Sequence, residues 1–334
     1  MNSHSGRGSA PWSRVWRGGA ACALLALLTS GLFLLALKSG SIAVSWGELW
    51  RGLFVEYNPR VAAVYDLRFP RVVVALLAGA MLAASGLFLQ AALRNPLADP
   101  GIIGIAGGAA FTAALVGAFF PMLYFSKPLF AFIGGILSFL LIYRLAWKGS
   151  LDPVRIILVG VAVSATCAGL SAALFGAGAN PLISGLVQRS WGDVRQLSLY
   201  AATGILAALL LAPACNYLAL EDRTARGLGI NADLLRGVVS AVAVMLASAA
   251  TAIIGVVGFL ALIAPHMARR FVGSDHRILT PFCLLLGAFV LLAADTLGRL
   301  VAAPAEIPAS VLMNVVGGPF FIILLQRGER IGRS

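Results

Sequence analysis

The chain has 334 residues, of which 60% are hydrophobic and only 11% charged, against about 25% charged in an average soluble domain. So few charges cannot clothe a water-facing surface, which excludes an ordinary soluble globule and makes residues 1–334 one membrane domain. Lys and Arg outnumber Asp and Glu by 25 to 13. Without an arginine-rich tract interleaved with aromatics, this excess reads as basic loops meeting anionic lipid rather than as nucleic-acid binding.

A helix needs about 20 apolar residues to cross the bilayer. The runs that meet or approach this length are, in chain order, 20–38, 71–93, 101–120, 128–147, 154–177, 197–219, 237–254, 256–269, 281–303 and 308–326. They are continuous rather than alternating, so they predict helices and not a β-barrel. The first run follows Arg7, Arg14 and Arg17 as in a signal peptide, but it is long and no A-x-A site follows, which favours an uncleaved span behind a cytoplasmic tail, 1–19. From Gly237 to Pro265 no charge occurs. That stretch is too long for one pass, and a turn near Gly255 and Gly258 divides it. Basic residues on both tails then give an even count and about ten spans, with both termini cytoplasmic. In that topology 16 basic residues fall inside and 9 outside, the expected bias.

Two connections are long. Segment 39–67 offers Trp46, Trp50 and Tyr57 to an interfacial aromatic belt, and 178–196 falls outside. The Gly104-x-x-x-Gly108 spacing suits close helix contact. Cys22, Cys167, Cys215 and Cys283 stand singly in apolar runs without metal-ligand spacing, so no metal and no cofactor is expected. There is no G-x-x-x-x-G-K-[ST] loop for ATP, no H-E-x-x-H and no G-x-S-x-G, so the chain is not expected to be an enzyme. Ion-coupled carriers place carboxylates in mid-membrane. Here Asp295 is the one carboxylate well inside a run, and Arg299 follows on the same helical face as its expected partner. A transporter this poor in buried charge takes its energy from a partner.

Polar motifs punctuate the span ends in a fixed order: Arg68-Phe69-Pro70-Arg71; Gln90 followed by Arg94-Asn95-Pro96-Leu97-Ala98-Asp99-Pro100-Gly101; Ala225-Arg226-Gly227-Leu228-Gly229; Pro265-His266-x-x-Arg269; Asp275-His276-Arg277; Asp295; Gly298-Arg299; Glu306-Ile307-Pro308; and Gly317-Gly318-Pro319-Phe320-Phe321. From about residue 60 onward this set resembles the FecCD family of ABC-importer permeases, which carry ferric siderophores, haem or cobalamin. The resemblance implies an all-α, cobalamin-permease-like bundle that works as a homodimer in the cell inner membrane. It also implies a cytoplasmic ATPase pair and an external binding protein as partners. Ferric siderophore is the expected cargo because siderophore permeases make up most of the family; haem and cobalamin are the alternatives.

By the same resemblance the polar stretch 220–236 is the coupling loop that enters the ATPase, with Ala225, Arg226, Gly227, Leu228 and Gly229 at the contact. Arg68, Arg71 and Arg299 match arginines that dock acidic residues of the binding protein, which suits uncompensated outer guanidiniums. Arg94, Asn95, Pro96, Asp99, Pro100, Pro265, His266 and Arg269 form the inner-face motif. Asn95-Pro96 and Asp99-Pro100 read as turns whose side chains cap the next helix, and His266 reads as structural. The sequence departs from the family at Gln188 to Arg195, which is more charged than the usual pattern near the outer mouth.

Overall fold

The computed structural model describes residues 11–40, 44–146, 153–176, 185–220, 222–303 and 305–331, and among them there is no strand. Twelve α-helices follow one another: α1 (Pro11–Lys38), α2 (Trp46–Phe54), α3 (Pro59–Ala92), α4 (Ile105–Phe119), α5 (Lys127–Ala146), α6 (Pro153–Phe175), α7 (Trp191–Cys215), α8 (Asp222–Gly227), α9 (Ala232–Ile254), α10 (Leu260–Val272), α11 (His276–Val301) and α12 (Ala309–Ile331). Seven helical segments, on α1, α3, α5, α6, α7, α9 and α11, are long and apolar enough to cross a membrane. The remaining expected runs fall on two shorter apolar helices, Ile105–Phe119 and Ala309–Leu324, and on the 13-residue α10.

The bundle is built around α3, which packs against α7, α9, α10 and α11. Its apolar window is 83% buried, against 22% for α1 and 17% for α6, so α3 is the core and the other two present their side chains outward. Lipid is as apolar as leucine, so helices in a membrane are held by close packing of small residues rather than by a hydrophobic drive. The Ala- and Gly-rich stretch of α3 supplies this. A Cβ at Gly86 would overlap the Ala261 carbonyl of α10, so only glycine lets these two backbones touch.

Several helix starts differ from the sequence expectation, among them α1 at Pro11 rather than 20 and α11 at His276 rather than 281, and three bear on the polar motifs. Helix α3 begins at Pro59 rather than near Arg71, so Arg68-Phe69-Pro70-Arg71 lies inside a helix. Asn58 caps it, accepting from the Arg60 N–H at 3.0 Å, and Pro59 suits the first helical turn. Helix α9 begins at Ala232 rather than 237, because Asn231 Oδ1 accepts from the Leu234 N–H at 3.0 Å. Residues 232–236 of the expected coupling loop are therefore helical. Helix α7 begins at Trp191 rather than 197, behind a capping box of Ser190 and Asp193. The charged departure at Gln188–Arg195 is thus largely a helix start. Residues 177–184 of the expected outer loop lie outside the described residues.

The turn expected near Gly255 is present. Residues 255–258 leave the helix, Gly255 has φ +77°, and Phe259 caps α10 at φ +63°. A left-handed phenylalanine costs about 1–2 kcal/mol. Its Cβ and ring fill the space left by the missing side chain of Gly317 on α12, which holds it there. In segment 39–67, Trp46, Trp50 and Tyr57 are all exposed, the first two on one face of α2.

Contacts between elements sort the helix termini into two ends. Tyr65 stacks on Trp191 at 4.9 Å, Tyr124 donates to Asp193 at 2.8 Å, and Arg299 reaches the last carbonyls of α1. These join the starts of α3, α5 and α7 to the finishes of α1 and α11. At the opposite end Gln90, Arg94, Asn216, Arg269 and Asp275 join the finishes of α3, α7 and α10 to the start of α11.

Candidate functional site

The motif residues gather into one cluster at each end. At the first end, Arg71 is buried in α3 and its Nε donates to both oxygens of Asp295, at 3.0 and 3.0 Å. Its terminal nitrogens reach Asp295 Oδ1 at 2.8 Å and Glu306 Oε2 at 2.7 Å. Arg299 Nε sits 3.3 Å from Asp295 Oδ2, but not aligned for a hydrogen bond. The expected Asp295–Arg299 pair is thus the secondary contact, and the main partner of Asp295 comes from a helix 224 residues away. Proximity on one helix face could not reveal that.

Arg68 and Arg299 have a second task. Arg68 donates to the carbonyls of Leu37 and Lys38, at 3.0 and 3.4 Å. Arg299 donates to those of Ala36 and Ser39, at 3.3 and 3.1 Å. These are the orphan acceptors of the last turn of α1, where the helix dipole is negative. The expectation of uncompensated arginines is therefore corrected: two carboxylates and a helix C-terminus balance three guanidiniums. All three arginines still line a cavity of about 560 Å³ together with Gly40, Gln188 and Glu306.

At the other end charge is handled differently. Arg94 ends α3 at φ +48°, the left-handed geometry of a helix C-terminus. Its guanidinium donates to the Leu218 carbonyl at 2.9 Å and to that of Leu220. It thereby grips the 3₁₀ turn after α7 just before the polar stretch. Asn216 in that turn donates to Asp275 at 2.8 Å and accepts from the His276 N–H at 2.9 Å. Arg269 donates to Gln90 Oε1 at 2.7 Å, and the Gln90 amide faces the carbonyls of Ala98 and Ala261 at 3.4 and 3.4 Å. One glutamine therefore ties the RNPLADPG block to the PHxxR block.

The expected turns are in place. Asn95 Oδ1 accepts from the Leu97 N–H at 2.9 Å. Asp99 Oδ1 accepts from those of Gly101 and Ile102, at 2.7 and 3.1 Å. Asp99 is fully buried in the connection between α3 and α4. Burial pushes its carboxyl up to about 6, against the pull of the Ile102, Gly101 and Leu262 amides. Pro265 is buried within α10, and His266 meets Phe320 edge-on at 5.6 Å, in keeping with a structural part.

In the polar stretch, Ala225 is buried, while Gly227, Leu228 and Gly229 are exposed at the tip. Gly229 has φ +75°, and the Ile230 N–H donates to the Ala225 carbonyl at 3.0 Å, which closes α8 in a Schellman-type cap. Arg226 lies in α8, and its side chain is outside the described residues.

Comparison with known proteins decides the family. The sequence matches the FecCD transport family over residues 26–327. The chain belongs to the FecCD transport family. As a member of it the chain is a multi-pass permease subunit of an ABC importer and not itself an enzyme, in a system that includes an ATPase and a substrate-binding protein. Among its relatives is the protein named probable heme-iron transport system permease protein IsdF of Staphylococcus aureus. The Newman and Mu3 strain sequences are each 42% identical over 312 residues, covering 92% of this chain and 95% of theirs. A chain of a metal-chelate type ABC transporter, solved in an inward-facing conformation, superposes with TM-score 0.76 at 27% identity, covering 92% of this chain and 98% of that one. A chain of PsaBC from Streptococcus pneumoniae shares the fold at TM-score 0.54 and 16% identity, covering 84% of this chain and 95% of that one.

Of the partners that the FecCD permease gives its arginines and turns, Gln90, Asp295 and Glu306 stood among the motifs marked from sequence, and Asn216 was missed. The signal for three of them was local: Gln90 is a lone amide in an apolar run, Asp295 is a carboxylate within one, and Glu306 directly precedes Ile307-Pro308. Nothing local marks Asn216.

Proposed function

We propose that this permease passes haem, as an iron chelate, across the cytoplasmic membrane toward the cell interior. The observation that carries this is 42% identity over 92% of the chain to the heme-iron permease IsdF. It moves haem ahead of the ferric siderophore that the motifs alone suggested. The transporter is a homodimer of this chain with both termini in the cytoplasm.

The two clusters are its two contact ends. The cavity of Arg68, Arg71 and Arg299 faces outward and takes acidic residues of the binding protein. That all three guanidiniums line one cavity supports this, since bidentate pairing to carboxylate is what arginine does best. Arg71, fully engaged, positions Asp295 and Glu306, while Arg68 and Arg299 hold α1 against the docking surface. The exposed tip Gly227-Leu228-Gly229, with Ala225 and Arg226 behind it, meets the ATPase. The inner motif residues Arg94, Asn95, Pro96, Asp99, Pro100, Pro265, His266 and Arg269 fix the base of that tip.

The test is reconstitution in liposomes with the cognate ATPase and binding protein, followed by uptake of haemin, a ferric siderophore and cobalamin. Haemin uptake that needs ATP and all three components is the expected result. Uptake of the siderophore or cobalamin alone would replace the cargo. Uptake that ignores ATP and follows a proton gradient would overturn the importer assignment for this cargo.

A further inference from the structure

A second charged site lies at the Arg71 end, apart from the arginine cluster. A cavity of about 240 Å³ opens between the finishing turns of α4 (Ala113, Gly117), the last turn of α9 (Thr251, Ala252), and the side chains of Lys127 and Arg189. Its walls are small and apolar, and its charge is not balanced. Asp193 is the carboxylate close by, and its oxygens are taken by the Tyr124 hydroxyl at 2.8 Å and by the Ser190 N–H and hydroxyl at 2.9 and 3.0 Å. Arg189 stands 3.7 Å from it, a loose pair. The Lys127 ammonium lies 5.7 Å from the centre of the Tyr124 ring and has no carboxylate within 4 Å among the described residues. Two cations thus share one occupied carboxylate.

The second observation is independent. Thr251 is 2% exposed, lines this cavity, and its hydroxyl has no hydrogen-bond partner. A helical threonine ordinarily satisfies its hydroxyl on the carbonyl one turn back. A buried hydroxyl without a partner costs about 1–3 kcal/mol, and this one borders a cavity where a polar atom of a ligand can reach it. An ammonium, a guanidinium and a hydroxyl lining one small, half-enclosed space suit a single anionic group. The volume is below the roughly 300–1,000 Å³ of sites that hold a whole ligand, so the space fits an arm and not a macrocycle.

We propose that Lys127, Arg189 and Thr251 form a carboxylate subsite that receives an acidic arm of the cargo as it leaves the binding protein. The proposal rests on the haem reading, since haem presents two propionates. The subsite would hold one propionate while the ring stays in the wider pathway, and would orient the cargo on entry.

The test uses the complete transporter, permease with its ATPase and binding protein, in phosphatidylcholine vesicles. Lys127→Gln, Arg189→Gln and Thr251→Val are each compared with wild type, and equal recovery of the assembled complex checks folding. The probes are haemin and its dimethyl ester, which lacks free carboxylates. Wild-type uptake reads the function alone; the variant-to-wild-type ratio, taken on whichever chelate the wild type carries, reads the subsite. The expected result is a fall of about tenfold in haemin kcat/KM for Lys127→Gln and Arg189→Gln and about threefold for Thr251→Val, equivalent to about 1.4 and 0.6 kcal/mol. The ester should move at one low rate in all four proteins. Unchanged haemin uptake in Lys127→Gln would overturn the proposal. So would an equal loss with haemin and ester, or a loss that appears only in vesicles containing anionic lipid, which would assign the site to a lipid phosphate.

Discussion

The two ends of this permease hold their arginines by different mixtures of partners. At the Arg71 end full charges meet at one arginine: Arg71, Asp295 and Glu306 lock together within 3.0 Å, while Arg68 and Arg299 rest on the carbonyls that end α1. At the Arg94 end the arginines meet neutral acceptors, the Gln90 amide and the carbonyls of Leu218 and Leu220. An ion pair in a low-dielectric setting is strong only while complete, and breaking it strands a buried charge. A cation on carbonyls and amides loses less when one contact goes, because each acceptor carries part of the load. The first end is therefore built to hold one arrangement. The second can trade acceptors as helices move, and it is the end that carries the exposed Gly227–Gly229 tip.

The comparison is sharpest at Asp295. Replacing Asp295 by Ala removes the shared partner of Arg71 and Arg299 and should lower stability by about 3–5 kcal/mol, read as loss of thermal stability of the detergent-solubilised complex. Adding Arg71→Met should restore a large part of it, since the stranded charge is gone; no restoration would mean the pair is not the source of the loss. Next, Arg68→Glu with Arg299→Glu should lower binding-protein-dependent uptake by at least about tenfold, equivalent to about 1.4 kcal/mol in docking. Normal uptake by that double variant would refute the docking role. At the neutral end, Gln90→Ala should cost about 1.5–3 kcal/mol, the range for a hydrogen bond to a charged group. Gln90→Glu keeps an acceptor for Arg269 but sets a carboxylate oxygen against the Ala98 and Ala261 carbonyls, so it should recover only part of that loss.

The smallest effect concerns Asp99. Its carboxyl is raised from 3.8 to about 6, so between those values the folded protein binds the proton and the unfolded chain does not. Stability should therefore rise as pH falls from 7 to 5 and fall again as pH rises through 6. Asp99→Asn keeps the acceptor for Gly101 and Ile102 but cannot titrate. Its melting temperature should equal or exceed that of wild type at pH 7.5 and be flat over that range. A wild-type profile that is already flat would contradict the burial account.

Local features were readable in advance, and pairings across the bundle were not. The apolar runs announced their helices, and the Asn95 and Asp99 turns follow from short acceptor side chains set before prolines, which bond the backbone N–H groups just ahead. The Gly255 break was legible as the point where an uncharged stretch became too long. Helix starts were placed late, at α3, α7 and α9, because caps such as Asn58, Ser190 and Asn231 sit in polar sequence that resembles loop. The Arg71–Asp295 and Gln90–Arg269 contacts span 224 and 179 residues. No local pattern encodes which face of α3 will meet which face of α10 or α11.

Helix α3 runs unbroken for 34 residues, about 51 Å at 1.5 Å per residue. It carries Arg68 and Arg71 about a third of the way along and Gln90 just before its far end. A rod of this length anchored at both ends behaves as a mechanical lever. Tilting it by about 5° around its middle would displace each tip by about 2 Å in opposite directions over that length, as much as separates a made hydrogen bond from a broken one. Gln90 lies close to a tip, where the movement is largest, so its contacts to Arg269, Ala98 and Ala261 are the first that such a tilt would strain.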